Sequence, residues 1–315
     1  MLVSVVIPTR DRSALLREAL ASVAAVRGPD LEFDIIVADN GASDQTRAIA
    51  AEFGARYVHT ATPGAAAARN AGLRLVRGEF IAFLDDDDVW LPGHLRPHLR
   101  LLTERPEFRA AVGQVVNTNL SLTDFAEPWP ASLPSDGHLF AAMLEFWPQI
   151  GATVVRASVL ESVGYFDERL MSEEDLDWHL RIARRHLVGF VAQPCVLFRQ
   201  RPPLDDERLL WKRLPYDRKV LLRHTLRAAR PKPPPALVCR VFLRHAGMFY
   251  ASFVECARQH DARGERQAAL ASLLRAIASS PVHAGKDLLH VTAQRALFTQ
   301  AFKHAGPRAR AASPD

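Results

Sequence analysis

The sequence predicts an α/β fold with a mostly parallel central sheet flanked by helices, followed by an α-helical C-terminal region. Over the first 120 residues, short apolar runs alternate with segments of helical periodicity, and this alternation is typical of parallel sheets. Beyond residue 204 the periodicity is helical and arginine is frequent. We therefore expect an α/β domain at 1–204, a helical region at 205–305 and a disordered tail at 306–315.

The individual elements follow from apolar spacing and from turn residues. Strands are predicted at 3–7, 33–38, 56–59, 80–84, 150–155, 189–192 and 195–198. Helices are predicted at 14–26, 44–53, 65–77, 159–164, 173–185, 205–229, 237–260 and 264–280, with a proline-rich break at 231–235.

Composition excludes several classes of protein. Hydrophobic residues make up 48% of the chain and charged residues 24%, which is typical of a globular protein and argues against disorder. The three cysteines are far apart and form no CxxC pair, so the spacing indicates neither a zinc site nor a disulfide framework. We expect no signal peptide, no stretch long enough for a transmembrane helix, and a location in the reducing cytoplasm.

Polar residues follow three predicted strands at the point where each strand ends. They are Thr9-Arg10-Asp11, Asp39-Asn40 and the run Asp85 to Asp88. A parallel sheet places such ends on one rim, where ligands bind. Four carboxylates after a buried strand repel one another unless a cation is present, and a divalent ion is the simplest partner. The alternative is a solvated acidic loop.

Six segments, in order, resemble the motifs of the inverting glycosyltransferases of family 2, which have the GT-A (Rossmann-like) fold. They are SVVIPT at 4–9, IVADNGASD at 36–44, ARNAG at 68–72, LDDDDVWLP at 84–92, GYFDE at 164–168 and ED at 174–175 followed by Arg181. The resemblance covers about residues 3–201. It implies transfer of a sugar from a nucleotide-diphosphate donor, UDP-linked, with Mg²⁺ or Mn²⁺.

The resemblance also implies roles for single residues. Asp175 is the expected general base, which takes a proton from the acceptor hydroxyl, and Asp87 and Asp85 are the expected metal ligands. Asp88 is expected to cap the following turn. The residues expected to bind the donor are Pro8, Thr9, Arg10, Asp39, Asn40, Arg69, Asp85, Asp86, Arg199 and Arg201. The expected acceptor-side residues are Glu174, Trp178 and Trp147, although core packing is an equal alternative for the two tryptophans.

Two departures from the family pattern bear on the donor site. Asn40 stands where a second aspartate is usual, and Arg199-Gln200-Arg201 stands where an arginine followed by a histidine is usual. Arginine does not ligate a metal but pairs with phosphate. We therefore expect Arg199 or Arg201 to hold the diphosphate.

Other functions stay open at this stage. A nucleotidyltransferase would favour a glycine-rich loop with a lysine after the first strand, and residues 8–13 contain neither. A non-catalytic nucleotide- or sugar-binding protein would be expected to have lost Asp87 or Asp175. The C-terminal helices are candidates for binding a partner protein or for peripheral contact with anionic lipid at the inner face of the membrane. We expect a glycan or lipid-linked acceptor and no nucleic-acid partner.

Overall fold

The computed structural model describes residues 1–28, 30–227 and 232–290. The strands are β1 Leu2–Thr9, β2 Glu32–Asp39, β3 Arg56–His59, β4 Phe80–Phe83, β5 Val89–Trp90, β6 Phe108–Thr118, β7 Thr153–Arg156 and β8 Leu187–Arg199. The helices of the same part are α1 Ser13–Ala25, α2 Asp44–Glu52, α3 Ala65–Leu73, α4 Leu95–Glu104, α5 Phe140–Glu145, α6 Val159–Val163 and α7 Glu174–Arg185.

The eight strands form one mixed sheet in the order β3-β2-β1-β4-β7-β6-β8-β5. The pairs β1–β2, β2–β3, β1–β4 and β6–β8 are parallel, whereas β7 is antiparallel to both β4 and β6, and β5 is antiparallel to β8. The α/β class and the four N-terminal strands expected from the sequence are confirmed. The antiparallel strands are all short, with four residues in β7 and two in β5.

Strand direction brings the predicted polar residues to one rim. Thr9 pairs with Asp39 across β1 and β2, and β4 runs parallel to β1 into the acidic run. Since β8 is parallel to β6, and both run in the direction of β1, Arg199 at the end of β8 lies on the same side of the sheet.

Several strands differ from the expectation. The segment 108–118, for which no strand was expected, is the eleven-residue β6. The two expected strands at 189–192 and 195–198 are one strand, β8, whose pairing with β6 shifts register between Gly113 and Val115. Pro194 lies opposite Gln114 within this irregularity, where its missing N–H does not break the ladder. In the third region, residues 150–152 form a 3₁₀ turn and the strand begins at Thr153.

The chain divides into two compact units. Among the described residues, the first unit contains those within 1–201 and 219–233, and the second contains 202–218 and 234–290. Helix α8 spans Pro203–Leu222 and is followed by a π-helical turn, Arg223–Arg227. The proposed domain boundary at 204 stays a prediction, and the expected tail at 306–315 lies outside the described residues.

The second unit is helical and has its own apolar core. Its helices are α9 Pro235–Ala262, α10 Arg266–Ser279 and α11 Pro281–His290. Phe249 and Phe253 of α9 and Ala276 of α10 are among the buried residues of this core. Helix α9 is long and apolar enough to cross a membrane by length and composition, although the sequence suggested no such stretch, and 39% of its apolar window is buried inside the protein.

Candidate functional site

The acidic run is held at the end of β1 by a hydroxyl and an arginine. Oγ1 of Thr9 donates to Oδ2 of Asp86 at 2.7 Å. The Arg12 guanidinium donates to Oδ1 of Asp86 at 3.0 Å and to Oδ2 of Asp87 at 2.8 Å. Asp11 has φ of 53°, a left-handed conformation that turns the chain sharply before α1. Sequence reasoning identified Thr9 and Asp86 but missed Arg12.

A buried arginine joins the acidic run to the start of α7. Arg69 on α3 donates to Oδ1 of Asp85 at 2.7 Å and to Oε1 of Glu174 at 2.6 Å. The Glu174 side chain is 9% exposed and the Asp85 side chain 26% exposed. Next to Arg69, Asn70 donates from Nδ2 to the carbonyl of Phe166 at 3.0 Å and accepts from its backbone N–H at 2.9 Å. The ARNAG and GYFDE segments are therefore in direct contact.

Asp39 and Asn40 shape the neighbouring edge of the rim. Oδ1 of Asp39 accepts the backbone N–H of Gly41 at 2.7 Å, and Oδ2 accepts the hydroxyl of Tyr57 at 2.9 Å. Asn40 donates to the carbonyl of Thr60 at 3.0 Å and accepts the backbone N–H of Gly64 at 2.9 Å. Asn40 thus fastens the loop that leads into α3, a task that needs an amide because one side chain must both donate and accept.

The two arginines after β8 differ in their availability. The Arg199 side chain is 3% exposed and donates to the backbone carbonyls of Asp87, at 2.6 Å, and Leu120, at 3.0 Å, and to the carboxylate of Glu18. Arg201 is 37% exposed and lies 3.3 Å from Oδ2 of Asp87. Arg199 is therefore committed to protein groups around the acidic run, whereas Arg201 is partly exposed beside Asp87.

Asp88 has a different hydrogen-bond partner from the one expected. It is buried, and its Oδ1 accepts the backbone N–H of Arg199 at 3.0 Å. The carboxylate therefore ties the acidic run to β8 and does not cap the turn towards Trp90. Burial raises the pKa of Asp88 well above its ordinary value, and the charges of Asp85 and Asp87 raise it further.

Burial also perturbs the neighbouring carboxyl groups. It raises the pKa of Asp86 to about 6, opposed by the hydrogen bond from Thr9 and the charge of Arg12. It raises the pKa of Asp85 as well, and the charges of Asp87 and Asp175 add to this effect. A bound cation would offset the desolvation and the mutual repulsion of these carboxylates, so their arrangement favours cation binding.

The residues at the rim fit a hard divalent cation. Oδ2 of Asp85 and Oδ1 of Asp87 accept no hydrogen bond from the residues that the structure describes, and both side chains are about one quarter exposed, at 26% and 24%. Carboxylate oxygens are the ligands that Mg²⁺ prefers, with water and phosphate oxygens in the remaining positions.

A strained residue, Glu173, precedes helix α7, and the first turn of the helix contains the expected base. Glu173 has φ of 62°, which places it in the left-handed region and turns the chain into the helix. Asp175 is partly buried in the first turn, close enough to Asp85 for its charge to raise the Asp85 pKa. The expected base and the expected metal ligand therefore lie together, although they are 90 positions apart in the sequence.

Asp177 is a structural residue, two positions after Asp175 in the chain. It is fully buried and accepts from Arg181 at 2.9 Å, Arg223 at 2.7 Å and His224 at 3.0 Å. Burial alone would raise its pKa, but the hydrogen bond from His224 and the charge of Arg181 lower it to about 2. These partners anchor α7, and the chain after α8 supplies two of them.

The structure corrects one acceptor-side assignment. Trp178 is fully buried between Phe83 and Phe166, with ring centroids 5.4 and 4.8 Å away, and its Nε1 donates to the carbonyl of Gly164 at 3.0 Å. A ring enclosed in this way is not available to stack on a sugar. Helical periodicity could not separate the two roles, because a residue on the buried face and one on the cleft face are only a few positions apart.

The remaining residues assigned from the sequence differ in how deeply they are buried. Glu174 is committed to Arg69, whereas Trp147 is partly buried. Pro8 is buried within β1, and Arg10 is exposed, 4.0 Å from the carboxylate of Asp11. No hydrogen bond or ion pair joins the Pro8 or Arg10 side chain to the acidic run among the described residues.

Comparison with known proteins places this geometry in a family. Residues 4–160 match the family model described as "Glycosyl transferase family 2". A 132-residue segment is 29% identical to the UDP-Glc:alpha-D-GlcNAc-diphosphoundecaprenol beta-1,3-glucosyltransferase WfgD of Escherichia coli, over 40% of this chain and 51% of that relative. The chain thus spans about half the length of this curated relative.

Two solved structures share the fold. S. aureus TarS 1-349 in complex with UDP-GlcNAc has a TM-score of 0.58 and 18% identity, over 96% of this chain and 90% of that one. Mannosyltransferase PcManGT of Pyrobaculum calidifontis, in complex with GDP-Man and Mn²⁺, has a TM-score of 0.55 and 17% identity, over 97% and 81%. At such identities the likeness shows the fold alone. On the strength of the matched segment, its motifs and this fold, the chain belongs, through residues 4–160, to glycosyl transferase family 2.

Proposed function

We propose that the chain transfers a sugar from a nucleotide-diphosphate sugar, UDP-linked, to a hydroxyl of a glycan or lipid-linked acceptor, with inversion at the anomeric carbon. The observation that carries the proposal is the meeting of the acidic run with the start of α7. Asp85 lies 2.7 Å from Arg69, and Arg69 lies 2.6 Å from Glu174, the residue before the expected base. One arginine thereby joins the proposed metal ligand to the residue next to the proposed base.

The donor side follows from the rim. Asp87 and the second oxygen of Asp85 would hold Mg²⁺ or Mn²⁺, which supplies charge stabilisation for the departing diphosphate. Asp39 and Thr9 lie next to each other across β1 and β2. There Asp39 would bind the nucleobase of the donor, and Asp86 would bind its ribose. Arg12 and Arg201 both reach Asp87 in the structure, and both have room to turn towards phosphate oxygens.

The catalytic step needs a base for the acceptor hydroxyl. Asp175 would accept the hydroxyl proton while that oxygen attacks the anomeric carbon from the face opposite the diphosphate, which inverts the configuration. Arg69 is buried and committed to two carboxylates, so we assign it to positioning Asp85 and α7, whereas the resemblance assigns it to contact with the nucleotide.

A binding experiment tests the donor site. We expect UDP or a UDP-sugar to raise the melting temperature of the full chain only in the presence of Mn²⁺, because a ligand that binds the folded state stabilises it. The chain and Asp87→Asn would be compared with UDP, GDP and dTDP. If no nucleotide raised the melting temperature with metal present, the proposed donor site would be wrong, and a response to GDP alone would overturn the UDP assignment.

A second experiment tests the base. Asp175→Asn is expected to retain the Mn²⁺-dependent nucleotide response and to lose about 10²–10⁴-fold in transfer or donor hydrolysis. Glu104→Gln, which changes an exposed carboxylate of α4, is the matched control and should keep full turnover. Full turnover by Asp175→Asn would remove Asp175 as the base, and nucleotide binding without turnover by the unaltered chain would favour a binding protein.

The acceptor and location are proposed from chemistry. The name of WfgD specifies a diphosphoundecaprenol acceptor, and a lipid-linked acceptor suits a basic protein that contacts the cytoplasmic face of a membrane. We propose peripheral contact of this kind through the C-terminal helices. Co-sedimentation of the full chain with vesicles of anionic lipid but not of neutral lipid would support the contact, and equal recovery from both would refute it.

A further inference from the structure

A second cluster of ligand side chains lies outside the proposed donor site. His94 and His98, four residues apart at the start of α4, face Cys195 of β8. All three are fully buried, and their ligand atoms lie within 4.8 Å of one another. Imidazole nitrogen and cysteine sulfur are the ligands of zinc and similar transition metals, not of Mg²⁺.

His94 gives an independent indication that a ligand belongs here. Neither of its ring nitrogens has a hydrogen-bond partner among the residues that the structure describes, although the side chain is fully buried. A buried imidazole without a partner is unfavourable. Its ring packs against that of Trp90, with centroids 4.5 Å apart, and against that of His98 at 4.9 Å, so the ring is fixed while its nitrogens are unsatisfied.

His98 is oriented as a metal-binding histidine usually is. Its Nδ1 lies 2.7 Å from the carbonyl oxygen of His94, and its Nε2 lies 3.2 Å from that of Ala152. Neutral imidazole carries one proton, and the shorter distance favours Nδ1 as the donor. Nε2 then keeps a lone pair, which is the arrangement that a backbone carbonyl commonly imposes on a ligand histidine.

The backbone leaves room for the sulfur and the ring. A Cβ atom at Gly113 would lie 2.4 Å from Sγ of Cys195 and 2.9 Å from Nε2 of His98, so any larger residue would fill this space.

We propose that His94, His98 and Cys195 form a structural zinc site that fastens the start of α4 to β8. Ligand atoms around tetrahedral zinc lie about 3.3–3.7 Å apart, so the three side chains need to close by about 1 Å. On binding, the Cys195 thiol loses its proton to solvent as the Zn–S bond forms, and the metal stays Zn²⁺ throughout. The cysteine spacing gave no sign of this site, because Cys195 is 97 positions beyond His98.

Metal content and cobalt spectroscopy of the full chain test the proposal. Protein purified from zinc-supplemented cells is expected to contain about one zinc per chain after gel filtration. When Co²⁺ replaces zinc, a thiolate-to-cobalt charge-transfer band should appear in the near ultraviolet. If the unaltered chain contained no zinc and gave no such band, the proposal would be overturned without any variant, and copper or iron in place of zinc would overturn the choice of metal.

Variants assign the ligands. His94→Phe keeps a ring against Trp90 but removes both nitrogens, and it should bind zinc at least tenfold more weakly, as loss of a ligand should cost at least what loss of an outer-shell partner does. Cys195→Ser should lose the cobalt band. The control in which both Cys239 and Cys256 are replaced by serine leaves Cys195 as the sole cysteine and should keep the band. A band that survives Cys195→Ser, or zinc affinity unchanged in His94→Phe, would contradict the assignment.

The site must also be separate from the donor site. Asp87→Asn is expected to keep its zinc and its cobalt band while it loses the Mn²⁺-dependent nucleotide response. If Asp87→Asn lost the zinc as well, the metal would belong to the acidic run and not to the histidine pair.

Discussion

Removal of the Arg69 side chain should be among the most destabilising single changes in the first unit. Arg69→Met leaves two carboxylates without their cation, one of them on the almost fully buried Glu174. A hydrogen bond to a charged group is worth about 1.5–3 kcal/mol. The bond to Glu174 counts in full, whereas the bond to Asp85 counts near the lower value, because Asp85 is 26% exposed. The sum, about 3–5 kcal/mol, is in the range found when one partner of a buried ion pair is removed.

Urea unfolding followed by tryptophan fluorescence measures this loss. Four of the five tryptophans lie in the first unit, so the signal reports mainly on the part that contains Arg69. Arg74→Met is the matched control, since Arg74 is 58% exposed and lies 3.6 Å from Glu168, and it should change the free energy of unfolding by less than about 0.5 kcal/mol.

A second substitution separates charge from packing. In the double variant Arg69→Met with Glu174→Gln, the most buried unpaired charge is gone, so we expect at least half of the lost stability to return. The reasoning is refuted if Arg69→Met costs less than about 1 kcal/mol, or if the double variant is no more stable than the single one.

Three further outcomes are expected. Because burial raises the pKa of Asp86 to about 6, its carboxyl gains a proton as the pH falls through that value, and Mn²⁺-dependent nucleotide affinity should decline from about pH 7 to about pH 5; a constant calorimetric affinity over this range would contradict it. Asn40→Asp removes the donor to the carbonyl of Thr60 and should lower the free energy of unfolding by about 1–3 kcal/mol, whereas an unchanged urea midpoint would show that the loop is held otherwise. Gly113→Ala places a Cβ 2.4 Å from Sγ of Cys195 and should lower the same free energy by about 1–3 kcal/mol, which a melting temperature equal to that of the unaltered chain would exclude.

Residues fixed by strand ends could be predicted from the sequence. Thr9, Asp39 and Asp85 each follow an apolar run, and parallel pairing alone brings such ends together. Arg12 lies beyond the strand, and its direction depends on the left-handed turn at Asp11, which no local pattern indicates.

Other features depended on tertiary contacts. The long strand β6 was missed because it has no clear alternation, being buried along nearly its whole length. Residues of one helix point to different sides, and tertiary packing decides which side is buried. Asp175 and Trp178 therefore could not be assigned to site and core from spacing alone. The assignment of Asp88 failed because its partner is the backbone of Arg199, which is 111 positions away.

The ion pairs of Arg12 and Arg201 with Asp87 have a thermodynamic consequence for the proposed donor. These arginines compete with a cation for the carboxylate, and the carboxylate competes with a phosphate for the arginines. A nucleotide that draws the arginines away leaves Asp87 free for the metal, and a metal that takes Asp87 frees the arginines. Each ligand should therefore tighten the binding of the other, by the same factor in both directions.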